Sequence, residues 1–281
     1  MSTAVSQTTL RGTLPQESED PIVQIGGIPI QLKTNNASFR RLIEERYAGF
    51  LSPAARPACR FKIQLTPDGA HRGDQDARVY RIGSAWCLER GDFRAELDMR
   101  RRAGWIRQSS NPYSLDSVLR ITHSLLLAMK GGFLLHAASA VCKGRAFLFA
   151  GVSGAGKTTI VRLAPADATV LTDEVSYVRP VGQGYEAYGT PFAGELARSG
   201  ANISAPLDTV FFLEKAHANA VHPICPRDAA RALLRHILFF AEDADLARAV
   251  FDSAVTFVSR VHTARLAFRP DRRIWELIDE K

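Results

Sequence analysis

The sequence predicts an α/β fold in which a mixed β-sheet flanked by helices follows a small, mostly β N-terminal region. Three observations predict it. The glycine-rich run Gly151-Val152-Ser153-Gly154-Ala155-Gly156-Lys157-Thr158 has the pattern G-x-x-x-x-G-K-[ST] and lies between a strand-like and a helix-like segment. Short β-like stretches punctuated by turn residues fill the chain from Pro21 to about Gln108. Beyond them, helix-length amphipathic segments alternate with buried apolar runs.

Taken in order, residues 1–20 are rich in Ser, Thr, Gln and Glu without apolar period, and are expected to be a mobile tail. In residues 21–110, Ile22 to Ile30, Phe61 to Leu65, Ala77 to Ile82 and Trp86 to Leu88 have β character. Gly26-Gly27, Pro67-Asp68-Gly69 and Arg90-Gly91-Asp92 mark turns, and one helix runs from Ser38 to Tyr47. A mostly antiparallel arrangement is expected. Asn111-Pro112 starts a helix whose apolar positions Leu115, Val118, Leu119, Leu126 and Met129 are expected to face a core, and Gly131-Gly132 stops it.

Residues 111–281 form the larger expected domain. Phe133 to Ala137 begins a strand, Lys143-Gly144-Arg145 turns, and Ala146 to Ala150 returns as the strand that feeds the glycine-rich loop. Thr159 to Ala164 opens a helix, Thr169 to Thr172 is a buried strand ending at Asp173-Glu174, and Val175 to Val178 continues as β. Leu207 to Leu213 and His262 to Phe268 are expected strands. Arg227 to Phe240, Asp243 to Val258 and Arg273 to Ile278 are expected helices.

At 281 residues and 46% hydrophobic composition the chain can bury a substantial core. No apolar run is long enough to span a bilayer and the start is unlike a signal peptide, so no membrane association and a cytoplasmic location are expected. Cys59, Cys87, Cys142 and Cys225 are scattered singly, without metal-site spacing, and are expected to be reduced. The net charge of +7 points to an acidic partner. Arg100-Arg101-Arg102 fits a solvated face better than a nucleic-acid patch, because no nucleic-acid module accompanies it.

The chemistry is concentrated in the loop. Glycines let successive backbone amides turn inward on a polyphosphate, Lys157 brings a flexible positive charge, and the Thr158 hydroxyl suits Mg²⁺. Gly151, Ser153, Gly154, Ala155, Gly156, Lys157, Thr158 and Thr159 are the candidate nucleotide-binding residues, with ATP and Mg²⁺ the expected ligands. A metal between phosphates wants hard oxygen donors and an acceptor hydroxyl needs somewhere to leave its proton. The strand-end pair Asp173-Glu174 supplies carboxylates for both, with Asp173, Glu174 and Thr158 as candidate metal ligands. His136, on the neighbouring strand, is a weaker candidate, since a lone histidine after Phe-Leu-Leu is more often part of a core.

The stretches LLHAASAV, GRAFLFAGVSGAGKTT and VLTDEVSYV, within Phe133 to Val178, resemble the HPr serine kinase/phosphorylase family. That resemblance implies a P-loop kinase domain like the C-terminal domain of those enzymes, on a fold similar to phosphoenolpyruvate carboxykinase. It implies a catalytic set of Asp173 as base, His136 assisting it, and Lys157 on the phosphates. The sequence departs from the family at Glu174, where an Asp is usual, and in having Gly189-Thr190-Pro191-Phe192-Ala193-Gly194-Glu195 in place of a glycine-rich signature segment. This segment fits an acceptor-side loop with Glu195 as a further ligand, or a plain turn; Arg198 and Arg235 are possible charge stabilisers. The expected function is transfer of the γ-phosphoryl group of ATP to a serine-type hydroxyl of a peptide or small protein. The alternatives are a kinase for a free serine-type small molecule and an ATP-binding regulatory module without transfer. Homo-oligomer formation stays open.

Overall fold

The computed structural model describes residues 20–67 and 76–279. The expected tail up to residue 19 and the Asp68-Gly69 turn lie outside the described residues. Strict alternation in Cys59–Leu65, with Cys59, Phe61 and Ile63 buried and Arg60, Lys62 and Gln64 exposed, is the period-two signature of a strand with one face on a core. With it, seven strands form the N-terminal sheet: β1 (Ile22–Ile25), β2 (Ile28–Thr34), β3 (Cys59–Leu65), β4 (Arg78–Ile82), β5 (Ala85–Arg90), β6 (Phe93–Asp98) and β7 (Ala103–Gln108). Their order is β1-β2-β3-β7-β6-β5-β4.

The expected antiparallel arrangement holds only in part, because β3 pairs in parallel with both β2 and β7. The cause is local: helix α1 (Ala37–Arg46) is a crossover between β2 and β3, and a crossover returns the chain in the same direction. The exposed Arg100–Arg102 run lies on the turn between β6 and β7, where the Asp98 carboxylate accepts the Arg100 and Arg101 amides at 2.9 and 3.0 Å.

Helix α2 (Pro112–Ala128) starts where Asn111 accepts the Tyr113 amide and Pro112 occupies the first turn, which loses no hydrogen bond there. Its face of Leu115, Val118, Leu119, Ile121 and Leu125 is buried in a core shared by the first sheet and by Leu134, Val175 and Tyr177 of the second. Each fully buried aliphatic side chain contributes about 1.5–3 kcal/mol, so this helix is a principal joint between the sheets.

The second sheet contains β8 (Phe133–Cys142), β9 (Arg145–Ala150), β10 (Thr169–Thr172), β11 (Val175–Val181), β12 (Gly184–Tyr188), β13 (Ser204–Lys215), β14 (Ala220–Pro223) and β15 (His262–Phe268). Its main path is β10-β8-β11-β12-β13-β15-β14, with β9 pairing β8 and β13. The sheet is mixed: β13 runs parallel to β9 and β15, while β8 is antiparallel to β9, β10 and β11. Helices α3 (Lys157–Arg162), α4 (Pro226–Leu234), α5 (Ala244–Val258) and α6 (Ile274–Asp279) flank it. The Trp275 indole donates to the Ile160 carbonyl at 2.9 Å and ties α6 to α3.

Helix α4 stops at Leu234, well short of the expected Phe240. The apolar run beyond it is used otherwise: the His136 amide donates to the His236 carbonyl at 2.7 Å and the Leu238 amide to the Leu134 carbonyl at 2.8 Å. The segment thus covers the edge of β8 that β9 leaves open. Among the described residues no helix is long and apolar enough to cross a membrane.

Candidate functional site

Three segments converge beside the middle of β8. On one edge, β9 ends at Ala150 opposite Ala137, and the glycine-rich loop leaves from there. On the other edge, β10 ends at Thr172 opposite Ser139 and β11 begins at Val175 opposite His136, so Asp173-Glu174 occupies the gap between them. The Thr172 hydroxyl accepts the amides of Glu174 and Val175, both at 3.2 Å, and fixes this kink.

The loop is shaped by its glycines. Gly156 has φ of 105°, a conformation that L side chains avoid, and a Cβ there would lie 2.7 Å from the Phe268 ring. Lys157 arches back over the loop and donates to the carbonyls of Gly151 at 2.9 Å and Val152 at 3.2 Å. Burial pushes its ammonium below the ordinary lysine value, while the Glu195 and Glu174 charges push it up.

A cavity of about 420 Å³, within the usual range for small-ligand sites, opens here. Ser153, Gly154, Gly156, Lys157, Thr158, Thr159, His136, Asp173 and Glu174 line it, and Gly194 and Glu195 close it. Of the sequence candidates, Gly151 and Ala155 are set behind the surface: both are buried, and Ala155 packs with Phe149 and Ile160. Arg198 lines a neighbouring cavity beside α1, and Arg235 lines a groove between α4 and α5.

Asp173 is 4% exposed, and both its oxygens are engaged: Oδ1 accepts the Gly194 amide at 3.0 Å and Oδ2 the Leu196 amide at 2.7 Å. The carboxylate therefore fastens the 189–203 loop to the end of β10. The fit at Gly194 is close, since a Cβ would come within 2.9 Å of Asp173 Oδ2. Glu174 instead pairs with Arg120 of α2 at 3.2 Å, and that guanidinium lies over the Phe192 ring, 4.8 Å from its centroid. Arg120 is not among the residues expected from the sequence. Its one signal is a charge between Leu119 and Ile121 on an otherwise apolar stretch of helix.

Burial lowers the affinity of the His136 imidazole for a proton; the Lys157 charge acts the same way, Glu174 opposes it, and Arg120 adds to the lowering. His136 is accordingly neutral at neutral pH and able to accept a proton. His236, also lowered by burial and by His136 and Lys157, stacks on Phe212 at 6.5 Å between centroids. Thr158, Asp173 and Glu174 present hard oxygen donors at one cavity, the donor chemistry that suits Mg²⁺, which usually completes its shell with water and phosphate. Among the described residues no cluster of three or more His, Cys, Asp or Glu side chains could by itself hold a metal.

A family model described as SynChlorMet cassette protein ScmC matches residues 113–281, from the first turn of α2 onward. The whole cavity falls inside the match and the seven-stranded sheet outside it. This finding overturns the expected membership of the HPr serine kinase/phosphorylase family. The likeness there rests on a phosphate-loop pattern and adjoining strand ends, local devices that recur across nucleotide-binding chains. No curated protein matches the chain.

Proposed function

The chain belongs to the ScmC family, and from that premise and the geometry of its cavity we propose that it is an ATP-dependent phosphotransferase. Its acceptor in this reading is a serine-type hydroxyl on a peptide or small protein. One observation carries the proposal: Lys157, Thr158, His136 and the Asp173-Glu174 pair, which come from three places in the sequence, face a single cavity.

In the proposed reaction the acceptor oxygen attacks the γ-phosphorus of ATP, the bond from that phosphorus to the β–γ bridging oxygen breaks, and ADP leaves. Loop amides and Lys157 stabilise the negative charge on the transferring group. Mg²⁺, when bound, neutralises phosphate charge, and Thr158, Glu174 and Asp173 would hold it. The hydroxyl proton goes to Asp173, whose two oxygens each keep a second lone pair beside the loop hydrogen bonds. Neutral His136 stands in the same cavity to receive or relay it.

The engagement of both Asp173 oxygens also favours a second reading, an ATP-binding regulatory module in which the carboxylate fastens a loop and no transfer occurs. The two readings separate in one experiment. Purified protein is incubated with γ-labelled ATP, Mg²⁺ and candidate peptides, with Asp173→Asn as control, and label is followed into peptide, protein and small-molecule fractions. Label in a peptide or protein that depends on Asp173 supports the kinase. Tight ATP binding with no transferred label supports the regulatory module, and label confined to a small metabolite refutes the peptide acceptor.

A further inference from the structure

Helix α5 buries Leu246, Val250, Ala254 and Phe257, a stripe at helical spacing that faces the protein. Phe251 and Val255 fall off that stripe, one turn apart, and remain 52% and 45% exposed. An exposed pair of this size is a ridge of apolar surface that the fold itself does not use. Helix α4 packs alongside, burying Ala229 and Leu233. Its outer side carries Arg227, Arg231 and Arg235 at i, i+4 and i+8, which places three guanidinium groups in one row.

Between the helices runs a groove of about 660 Å³ with mostly apolar walls formed by residues such as Leu234, Phe251 and Val255, and with all three arginines on its lining. No acidic side chain lines it among the described residues. All three arginines are exposed, and none has a carboxylate partner among the described residues. Like charges one turn apart repel, and although Arg231 and Arg235 are favoured at the C-terminal end of the helix, an anionic neighbour would relieve the repulsion within the row.

We infer that this groove docks an acidic amphipathic helix from a partner polypeptide. The chemistry selects that occupant. A plain apolar segment would leave three cations facing it without counter-charge. Two copies of this chain meeting through the groove about a two-fold axis would bring one arginine row toward the other. A helix with an apolar ridge flanked by Glu or Asp satisfies both features at once, in the helix-in-groove mode of peptide recognition. From Arg227 to Arg235 the row spans roughly 12 Å at 1.5 Å per residue, so two to three turns of partner helix suffice. The excess positive charge of the chain, +7 overall, would steer such a partner inward. Binding here does not depend on phosphoryl transfer. One link runs from the groove to the cavity: the residue after Arg235 is His236, whose carbonyl accepts the amide of His136.

The test uses the full chain and two fluorescein-labelled helical peptides that share a leucine ridge, one flanked by glutamates and its twin by lysines, titrated by fluorescence anisotropy. The acidic peptide is expected to bind in the micromolar range and the lysine twin to fail. Phe251→Ala should weaken the acidic peptide at least tenfold, as removal of a central aromatic anchor does. The double variant Arg231→Glu with Arg235→Glu should lose the acidic peptide and gain the lysine twin. That charge swap cannot arise from misfolding, and all three positions are exposed. Equal binding of both peptides, no binding of either, or indifference to the substitutions would overturn the inference. Arginine-dependent binding of anionic phosphatidylserine vesicles in the absence of peptide binding would also overturn it and make the surface a lipid-facing one.

Discussion

Asp173→Asn separates the structural and chemical roles of one carboxylate. In the native protein its oxygens accept the Gly194 amide at 3.0 Å and the Leu196 amide at 2.7 Å, in a position only 4% exposed. An asparagine keeps one acceptor oxygen and turns a donor NH₂ toward the other amide, leaving that amide unsatisfied. A hydrogen bond to a charged group contributes about 1.5–3 kcal/mol, and an orphaned buried donor costs about 1–3 kcal/mol. A loss of about 2–3 kcal/mol is therefore expected, which for a protein of this size lowers Tm by about 4–12 °C. If Asp173 also takes the acceptor proton, kcat for transfer falls about 100-fold or more while nucleotide affinity is largely kept. Differential scanning fluorimetry reads the first effect and γ-label transfer with a titrated nucleotide reads the second. A lowered Tm with unchanged kcat at saturating acceptor would leave Asp173 a loop fastener only. Wild-type values in both assays would refute the hydrogen-bond reasoning and the base assignment together.

Lys157→Ala removes the one lysine that lines the cavity among the described residues and should weaken binding of a fluorescent ATP analogue at least tenfold in equilibrium titration; unchanged affinity would remove the phosphate-loop assignment. Gly156→Ala forces an L side chain to φ of 105° and a Cβ to 2.7 Å from Phe268, so a stability loss of about 1–2 kcal/mol in urea unfolding is expected together with weakened nucleotide binding. His123, fully buried beside the Tyr177 hydroxyl at 3.2 Å, is pushed down to about 3 by burial, from an ordinary value of 6.5. The unfolded chain therefore takes up a proton that the folded one refuses: the histidine's contribution is whole above pH 6.5 and is lost as pH falls toward 3, at about 1.4 kcal/mol per unit. Urea unfolding at pH 7.5 and 5.5 should show that loss, and His123→Leu should reduce the slope by this amount, a difference that removes the smaller contributions of His136 and His236.

The parts of the fold that were legible in the sequence are those whose cause is local. Asn111-Pro112 caps α2, the apolar run Thr169–Thr172 is β10, and His262–Phe268 is β15 with the expected bounds. What the sequence hides is pairing at long range. The end of α4 depends on β8 having an open edge at Leu134 to His136, more than ninety residues earlier, and no residue near Leu234 announces it. Strands β6, β7, β12 and β14 were not expected from the sequence. Phe93, Ala95 and Leu97 alternate clearly enough, but β14 is four residues long and acquires strand identity only by pairing with β15. At the site, the loop, His136 and the acidic pair were recognisable by residue type. Arg120 was not, since its relation to Glu174 spans 54 positions, and neither were the Gly194 and Leu196 amides, since backbone donors carry no sequence signal.

The convergence itself has a simple origin in strand register. Thr172 opposes Ser139 and Val175 opposes His136, so after the register shift inside β10, between Val170 and Thr172, the end of β10 and the start of β11 follow β8 with no residue inserted between them. The ladder is merely interrupted across Asp173 and Glu174, which come opposite Ala138 and Ala137. Those same two alanines, both fully buried, pair with Phe149 and Ala150, the last residues of β9 before the loop departs. Two strand ends on opposite edges of β8 are thereby fixed to the same pair of residues. Because neighbouring strands lie about 4.8 Å apart, the glycine-rich loop and the carboxylates emerge within about 10 Å of each other. Small side chains at 137 and 138 keep that centre uncluttered, and the first larger residue along β8 is His136, which lines the cavity. The site is thus a consequence of where β9 and β10 stop and β11 starts along β8.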